Sequence, residues 1–291
     1  KTRLFGNVGL KEAIKATFPN KRVLTTGDMN PKYSFIGDMD QVTDEDYQNA
    51  LVFILDSGNT NLISDERYKL GQYIIKIDHH ASGADYADIN YVDKTEISCA
   101  SLLARFIFDN EMKLTTLGAK ALFTGIVTDS SRFLHDGVNA NTFMIVSRLI
   151  EYGFSMQEVY RSLYTEEFNY IKIRALLTLS MKHTQYNVAY IKTSYKELLN
   201  YQLDLFTVSR GMVNVMASIK GVDIWVNFTE DSNGDVYAEI RSSKYNINPV
   251  AVKYGGGGHK LASGATLASF SEADRMLSDL DKIIMEESDE R

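Results

Sequence analysis

Tyr73-Ile74-Ile75-Lys76-Ile77-Asp78-His79-His80 is the stretch on which the fold turns. A short, mostly β-branched and aromatic run leads straight into a carboxylate and two imidazoles. Such a run fits a strand buried on both faces of a parallel sheet. In an open α/β sheet, sites form beyond the carboxyl ends of the strands, which is where Asp78, His79 and His80 fall. A second apolar run, 50–55, ends in Asp56-Ser57-Gly58, and a third candidate strand, 21–26, is closed by Gly27. Helical spacing surrounds these runs. Leu10, Ile14 and Phe18 share one face of a helix that Pro19 ends, and further helices are expected at 97–111, 116–128 and 139–152.

The stretch 154–183 reads as an amphipathic helical connector, through Val159, Leu163, Phe168, Ile171, Ile173, Leu176 and Leu179. Beyond Tyr186 the pattern turns β-rich, at 187–191, 223–228 and 235–240. Ser232-Asn233-Gly234-Asp235 looks like a hairpin turn between the last two. Ser271-Glu272-Ala273-Asp274 resembles a capping box opening a final helix that ends near 287. The expected fold class is α/β. An N-terminal lobe (1–153) has a mainly parallel sheet flanked by helices, a helical connector follows (154–186), and a smaller α+β lobe closes the chain (187–291). The active site is expected in the cleft between lobes.

The chain has 291 residues, and 31 Lys+Arg against 38 Asp+Glu give a net charge of −7. An acidic chain lacks the dense basic face of a general duplex-binding protein. One cysteine, Cys99, excludes a disulfide framework or a multi-cysteine zinc site; it reads as a small buried residue. The apolar runs are strand-length, well short of the roughly 20 residues of a membrane span, and the opening residues carry no signal-peptide pattern. No membrane association and a cytoplasmic location are therefore expected.

Three carboxylates end apolar segments: Asp56, Asp78 and Asp129, the last in Gly125-Ile126-Val127-Thr128-Asp129-Ser130-Ser131-Arg132. Each alone is more often a cap or turn residue. Together with His79 they make a plausible hard-metal cluster, and carboxylate with neutral imidazole suits a divalent ion such as Mn²⁺. Two metals bridged by a carboxylate would activate water for phosphoryl transfer. Arg132 is placed to meet a phosphate, although a surface arginine is the default. The second feature is Tyr254-Gly255-Gly256-Gly257-Gly258-His259. Glycines expose backbone N–H groups to a bulky anion. The window 240–271 holds no Asp or Glu but contains Arg241, Lys244, Lys253, His259 and Lys260, an inversion of the chain's overall charge. No Gly-Lys-Ser/Thr ending follows, so this is not a Walker-type loop. His135 lies near Asp129 in sequence, and His183 reads as a surface residue.

These features resemble the DHH phosphoesterase superfamily with its DHH-associated C-terminal domain. Asp78-His79-His80 is similar to the naming motif, Asp56-Ser57 to the second motif, Gly125–Asp129 to the fourth, and Gly256-Gly257-Gly258-His259 with Ala262-Ser263-Gly264-Ala265 to the signature of the C-terminal domain. Size and lobe order look most like the bacterial nano-RNase/pAp phosphatases. The resemblance implies a Mn²⁺-dependent phosphodiesterase degrading short oligoribonucleotides to nucleoside monophosphates, and acting on pAp. It implies Asp56, His79 and Asp129 as metal ligands and Asp78 and His80 as catalytic residues. Arg132, Arg241, Ser242, Gly256, Gly257, Gly258 and His259 would bind substrate, and the chain would form a homodimer. The family's first motif, His-x-x-Pro-Asp-x-Asp, supplies further ligands of a two-metal site and is not in this sequence, which opens on what resembles the stretch just after it. Alternatives are a phosphodiesterase of linear pApA or cyclic di-AMP, an exopolyphosphatase or pyrophosphatase, and a nucleotide-binding protein lacking a complete metal site.

Overall fold

The computed structural model describes residues 3–80 and 83–289. The chain divides into two units, Lys1–Thr165 and Glu166–Arg291.

In the first unit, helix α1 (Arg3–Thr17) and the single turn α2 (Asp44–Tyr47) precede three strands, β1 (Leu51–Leu55), β2 (Tyr73–Asp78) and β3 (Ile89–Val92). They form a parallel sheet in the order β1-β2-β3. Four helices follow: α3 (Cys99–Asp109), α4 (Thr116–Asp129), α5 (Ala140–Ile150) and α6 (Met156–Tyr164). Each starts where a short polar side chain satisfies otherwise orphaned N–H groups: Ser98, Thr115, Asn139 and Ser155 accept from the first turn of α3, α4, α5 and α6. Leu55 and Ile77 from the sheet pack with Leu103, Ile107, Leu122, Phe123, Ile126 and Leu149 in one core. Helix α4 is apolar nearly all round and is buried along most of the stretch from Gly118 to Val127. Glycine lets a neighbour approach closely: a Cβ on Gly125 would lie 2.6 Å from the Cβ of Ala100.

The register of β1 on β2 sets the site. Leu55 pairs with Ile77, and the Asp56 N–H donates to the Ile77 carbonyl at 3.0 Å. The next residues, Asp56 and Asp78, are therefore neighbours at the carboxyl end of the sheet.

The strand expected at 21–26 does not form. Its backbone bonds go to Asp40 instead: the Thr25 N–H donates to the Asp40 carboxylate at 2.7 Å, and the Thr25 carbonyl accepts from the Asp40 N–H at 2.7 Å. Among the described residues β1 is consequently an edge, and a cavity of about 1450 Å³ separates it from 21–31 and α1.

The second unit begins with α7 (Phe168–Ser180). It continues through β4 (Lys182–His183), β5 (Ala189–Thr193), α8 (Tyr195–Tyr201), β6 (Ile224–Glu230) and β7 (Val236–Ser242). It closes with α9 (Asn248–Lys253), β8 (Gly257–His259), β9 (Ala262–Leu267) and α10 (Phe270–Asp289). The sheet order is β4-β5-β6-β7-β9-β8, with only β5 and β6 parallel. Alternation along β6 feeds two cores. Ile224, Val226 and Phe228 meet Met276, Leu277 and Leu280 of α10 on one face, while Trp225 meets Ile173, Leu177, Met212 and Met216 on the other.

Three expectations shift in detail. The hairpin loop runs over 231–235, because Glu230 pairs with Val236 and the Asp231 carboxylate accepts from the Asn233 N–H at 2.8 Å. Helix α10 starts at Phe270, and Glu272 in its first turn accepts from the Ala268 N–H at 2.9 Å, while Asp274 pairs with Lys192. The stretch 154–186 contributes to both units: Val159 and Leu163 lie in the first core, Ile173 and Leu177 in a core of the second. Among the described residues no helix is long and apolar enough to cross a membrane.

Gly125→Ala forces its new methyl against Ala100, a neighbour with no flexible end to yield. The expected cost is about 1–3 kcal/mol, read by urea unfolding. Gly257→Ala, whose Cβ would meet nothing within 4 Å, serves as the control and is expected to change stability by less than about 0.5 kcal/mol.

Candidate active site

Asp56 follows β1 in a left-handed conformation, φ 57°, a region asparagine and aspartate tolerate better than most residues. The conformation is held by Arg3, whose Nε donates to the Asp56 carbonyl at 3.0 Å. Asp56 is 7% exposed, and its Oδ1 lies 3.4 Å from His79 Nε2 and 3.8 Å from His80 Nδ1.

Asp78, 1% exposed, organises the residues that follow it. Its Oδ1 accepts from the His79 N–H at 2.9 Å and the His80 N–H at 3.3 Å, and lies 2.6 Å from His80 Nδ1. A carboxylate so bound places the proton on His80 Nδ1, which leaves the lone pair on Nε2. His79 Nδ1 lies 3.2 Å from the Glu96 carbonyl. Burial pulls the His79 pKa down, but hydrogen bonding and charge from Asp56, the Glu96 carbonyl and the charge of Asp129 outweigh it, so the value sits above the ordinary one.

Lys76 is a residue the sequence reading passed over, although a lysine inside an apolar run is itself a signal. It is 2% exposed. Its Nζ lies 3.5 Å from Asp78 Oδ2, donates to the Ala84 carbonyl at 3.0 Å and sits over the Tyr86 ring at 5.0 Å. Tyr86 in turn donates to the Ser57 carbonyl at 2.7 Å. The loops after β1 and β2 are thus tied together. They touch where Gly83 meets Gly58, and a Cβ on Gly83 would lie 2.6 Å from the Gly58 carbonyl oxygen.

Asp56, His79 and His80 each offer a ligand atom within 4.8 Å of the others. One nearly buried carboxylate and two imidazoles form a donor set that fits a divalent first-row cation. His80, expected to face substrate, joins this group. Asp129, expected as a ligand, ends α4 outside it but near enough for its charge to act on His79.

Beyond Asp129 the chain makes a turn with three successive left-handed residues, Ser131 (φ 50°), Arg132 (64°) and Phe133 (66°). Ser130 closes it, its carbonyl accepting from Leu134 N–H at 2.9 Å and His135 N–H at 3.0 Å. The exposed Arg132 guanidinium stacks over Tyr164, 5.1 Å from the ring centroid.

In the second unit the glycine run is partly a steric requirement. A Cβ on Gly256 would lie 2.0 Å from the Gly264 carbonyl, and Gly258 combines φ 138° with a carbonyl 2.5 Å from where its Cβ would be. Gly257 is open, and His259 is exposed. Asn248, unnoticed in the sequence, donates to the Gly258 carbonyl at 2.9 Å. Arg241 is held by Glu239, one residue outside the acid-free window, at 3.0 Å. Ser242 is buried, and its hydroxyl accepts from Tyr245 N–H at 2.8 Å. Cys99 is buried as expected, and desolvation raises its thiol pKa well above the ordinary value.

Residues 206–286 match the DHHA1 domain. With the Asp78-His79-His80 strand end beside Asp56, this places the chain in the DHH phosphoesterase superfamily. Within it, the chain is 34% identical over 281 residues to the probable bifunctional oligoribonuclease and PAP phosphatase NrnA of Streptococcus mutans, covering 97% of this chain and 90% of that one. It is 32% identical over 281 residues to the bifunctional oligoribonuclease and PAP phosphatase NrnA of Bacillus subtilis, covering 96% and 89%. It belongs to that family. An exopolyphosphatase-related protein from Bacteroides fragilis has the same fold, with a TM-score of 0.78 at 22% identity over 98% of this chain and 90% of that one.

Two stability outcomes follow from this geometry. Ser131→Gly removes a side chain from a left-handed position and is expected to stabilise the chain by about 1 kcal/mol, read as a higher urea midpoint. Lys76→Met strips a buried carboxylate of its cation and is expected to cost about 3 kcal/mol in the same assay.

Proposed function

We propose that this chain is a Mn²⁺-dependent phosphoesterase that cleaves short oligoribonucleotides to nucleoside monophosphates and removes a phosphate from pAp. The observation that carries the proposal is the Asp56–His79–His80 group at the ends of adjacent parallel strands, in a chain alike over nearly its whole length to two relatives described by both activities. Asp56, His79 and His80 would hold the cation, with the charge of Asp129 close by. The bound cation supplies Lewis acidity toward a phosphoryl group. The chain's own side chains do the rest. Asp78 orients His80 and fixes the backbone of both histidines. Lys76 keeps the buried Asp78 carboxylate beside a cation. Arg132, Gly257, Gly258 and His259 are assigned to substrate phosphate. Gly256 and Ser242 shape the turns that carry the glycine run, and Arg241 is poised to change partners from Glu239 to an anion. Weak net attraction for long polyanions, given the charge of −7, favours short substrates.

The test is AMP release from linear pApA and from pAp with Mn²⁺, with cyclic di-AMP and polyphosphate in parallel. Turnover of pApA and pAp above the other two is expected, and Asp56→Ala is expected to lose about a hundredfold or more in both Mn²⁺ affinity and AMP release. Preferred turnover of polyphosphate, or an Asp56→Ala variant as active as the parent, would overturn the reading.

A further inference from the structure

The first unit buries one carboxylate that the chemistry above does not use. Glu96 lies between β3 and α3 and is 7% exposed. Its Oε2 accepts from the Ser101 hydroxyl at 2.7 Å, and its Oε1 accepts from Arg105 Nη1 at 2.7 Å and from the Asn141 amide at 3.4 Å. The other arm of Arg105 reaches Asp93 Oδ2 at 2.7 Å. A capping box ordinarily carries its glutamate at the third helical position. In α3 that position is Ser101, and the carboxylate comes to it from Glu96, outside the helix. The backbone of the same loop is tied to the strand end, because the Asp93 N–H donates to the Asp78 carbonyl at 3.1 Å.

What this network holds still is the Glu96 carbonyl, 3.2 Å from His79 Nδ1. A carbonyl only accepts, so the bond requires the proton on Nδ1. The lone pair is then on Nε2, the nitrogen 3.4 Å from Asp56 Oδ1. We propose that Arg105, Glu96 and Ser101 form a positioning device that fixes the tautomer and ring orientation of His79, and through them the affinity of the cation group. The inference rests on the cation role proposed above for His79. Arg105 is suited to it because a planar guanidinium spans two carboxylates with separate N–H groups, which an ammonium on a flexible stem does not reproduce. Glu96 and Arg105 are positioning residues, whose side chains bond to Ser101, Asn141, Asp93 and each other.

The test uses the full chain with Glu96→Gln and Arg105→Lys. Long-range ¹⁵N NMR of the imidazoles, on metal-free protein at a pH where the His79 ring is neutral, reads the tautomer. Titration calorimetry reads Mn²⁺ affinity. In the parent, the Nδ1–H form of His79 is expected to predominate, although Asp56 beside Nε2 competes for the proton. In each variant the share of that form falls and Mn²⁺ binds about 10- to 100-fold more weakly. A folded variant with the parent tautomer and Mn²⁺ affinity within about twofold of the parent overturns the proposal, whatever its melting temperature. If Glu96→Gln does not fold, Arg105→Lys decides on the same two readouts. A parent chain that binds Mn²⁺ and cleaves none of the nucleotides sinks the proposed function and leaves this inference standing.

Discussion

The pairing of Leu55 with Ile77 is the constraint on which the site depends. A parallel strand pair has a side-chain period of two, so a slip of one residue would exchange the faces of Leu55 and Ile54, which pack in different clusters, and move Asp56 away from Asp78. The apolar contacts of Leu55 and Ile77 with α3 and α4 fix that register. The polar group is thereby positioned by hydrophobic packing a single residue upstream. The same logic places Asp129, which ends a helix whose burial leaves it little freedom to rotate or slide.

The polar residues at the strand ends form a layered arrangement. Asp56 and the two imidazoles face one another. Behind them, Asp78 Oδ1 meets two backbone N–H groups and one ring, with Lys76 beside Oδ2. Behind His79 stands the Glu96 carbonyl, and behind that carbonyl a buried carboxylate with its arginine. Charges are costly to bury singly and tolerable in hydrogen-bonded sets, which is why the strand ends carry a network and not isolated acids. Left-handed backbone at Asp56 and at 131–133 is the local strain accepted around it.

Much of this was legible in the sequence because it rests on local rules. Short apolar runs ending in acids marked β1 and β2, and the helical spacing of apolar residues marked the helices. What was not legible depends on partners distant in sequence. The segment 21–26 has strand composition but lost its pairing to the Asp40 turn. Arg241 looked free because its partner Glu239 lies just outside the window in which charge was counted. Lys76 and Glu96 acquire meaning only through loops that fold back on them. The glycine run invited an anion-site reading, yet Gly256 and Gly258 are also required by the close approach of β8 to β9, a steric demand that no composition reveals.

Strand β6 is a wall shared by two cores, its alternate residues facing α10 on one side and α7 on the other. Neither core can come apart while the other stays intact without exposing one face of that strand. Loss of either layer therefore raises the free energy of the remaining layer, and the two sides melt as one cooperative body. Changes in the loops around the glycine run leave that foundation in place, since their support is a partition braced from both sides.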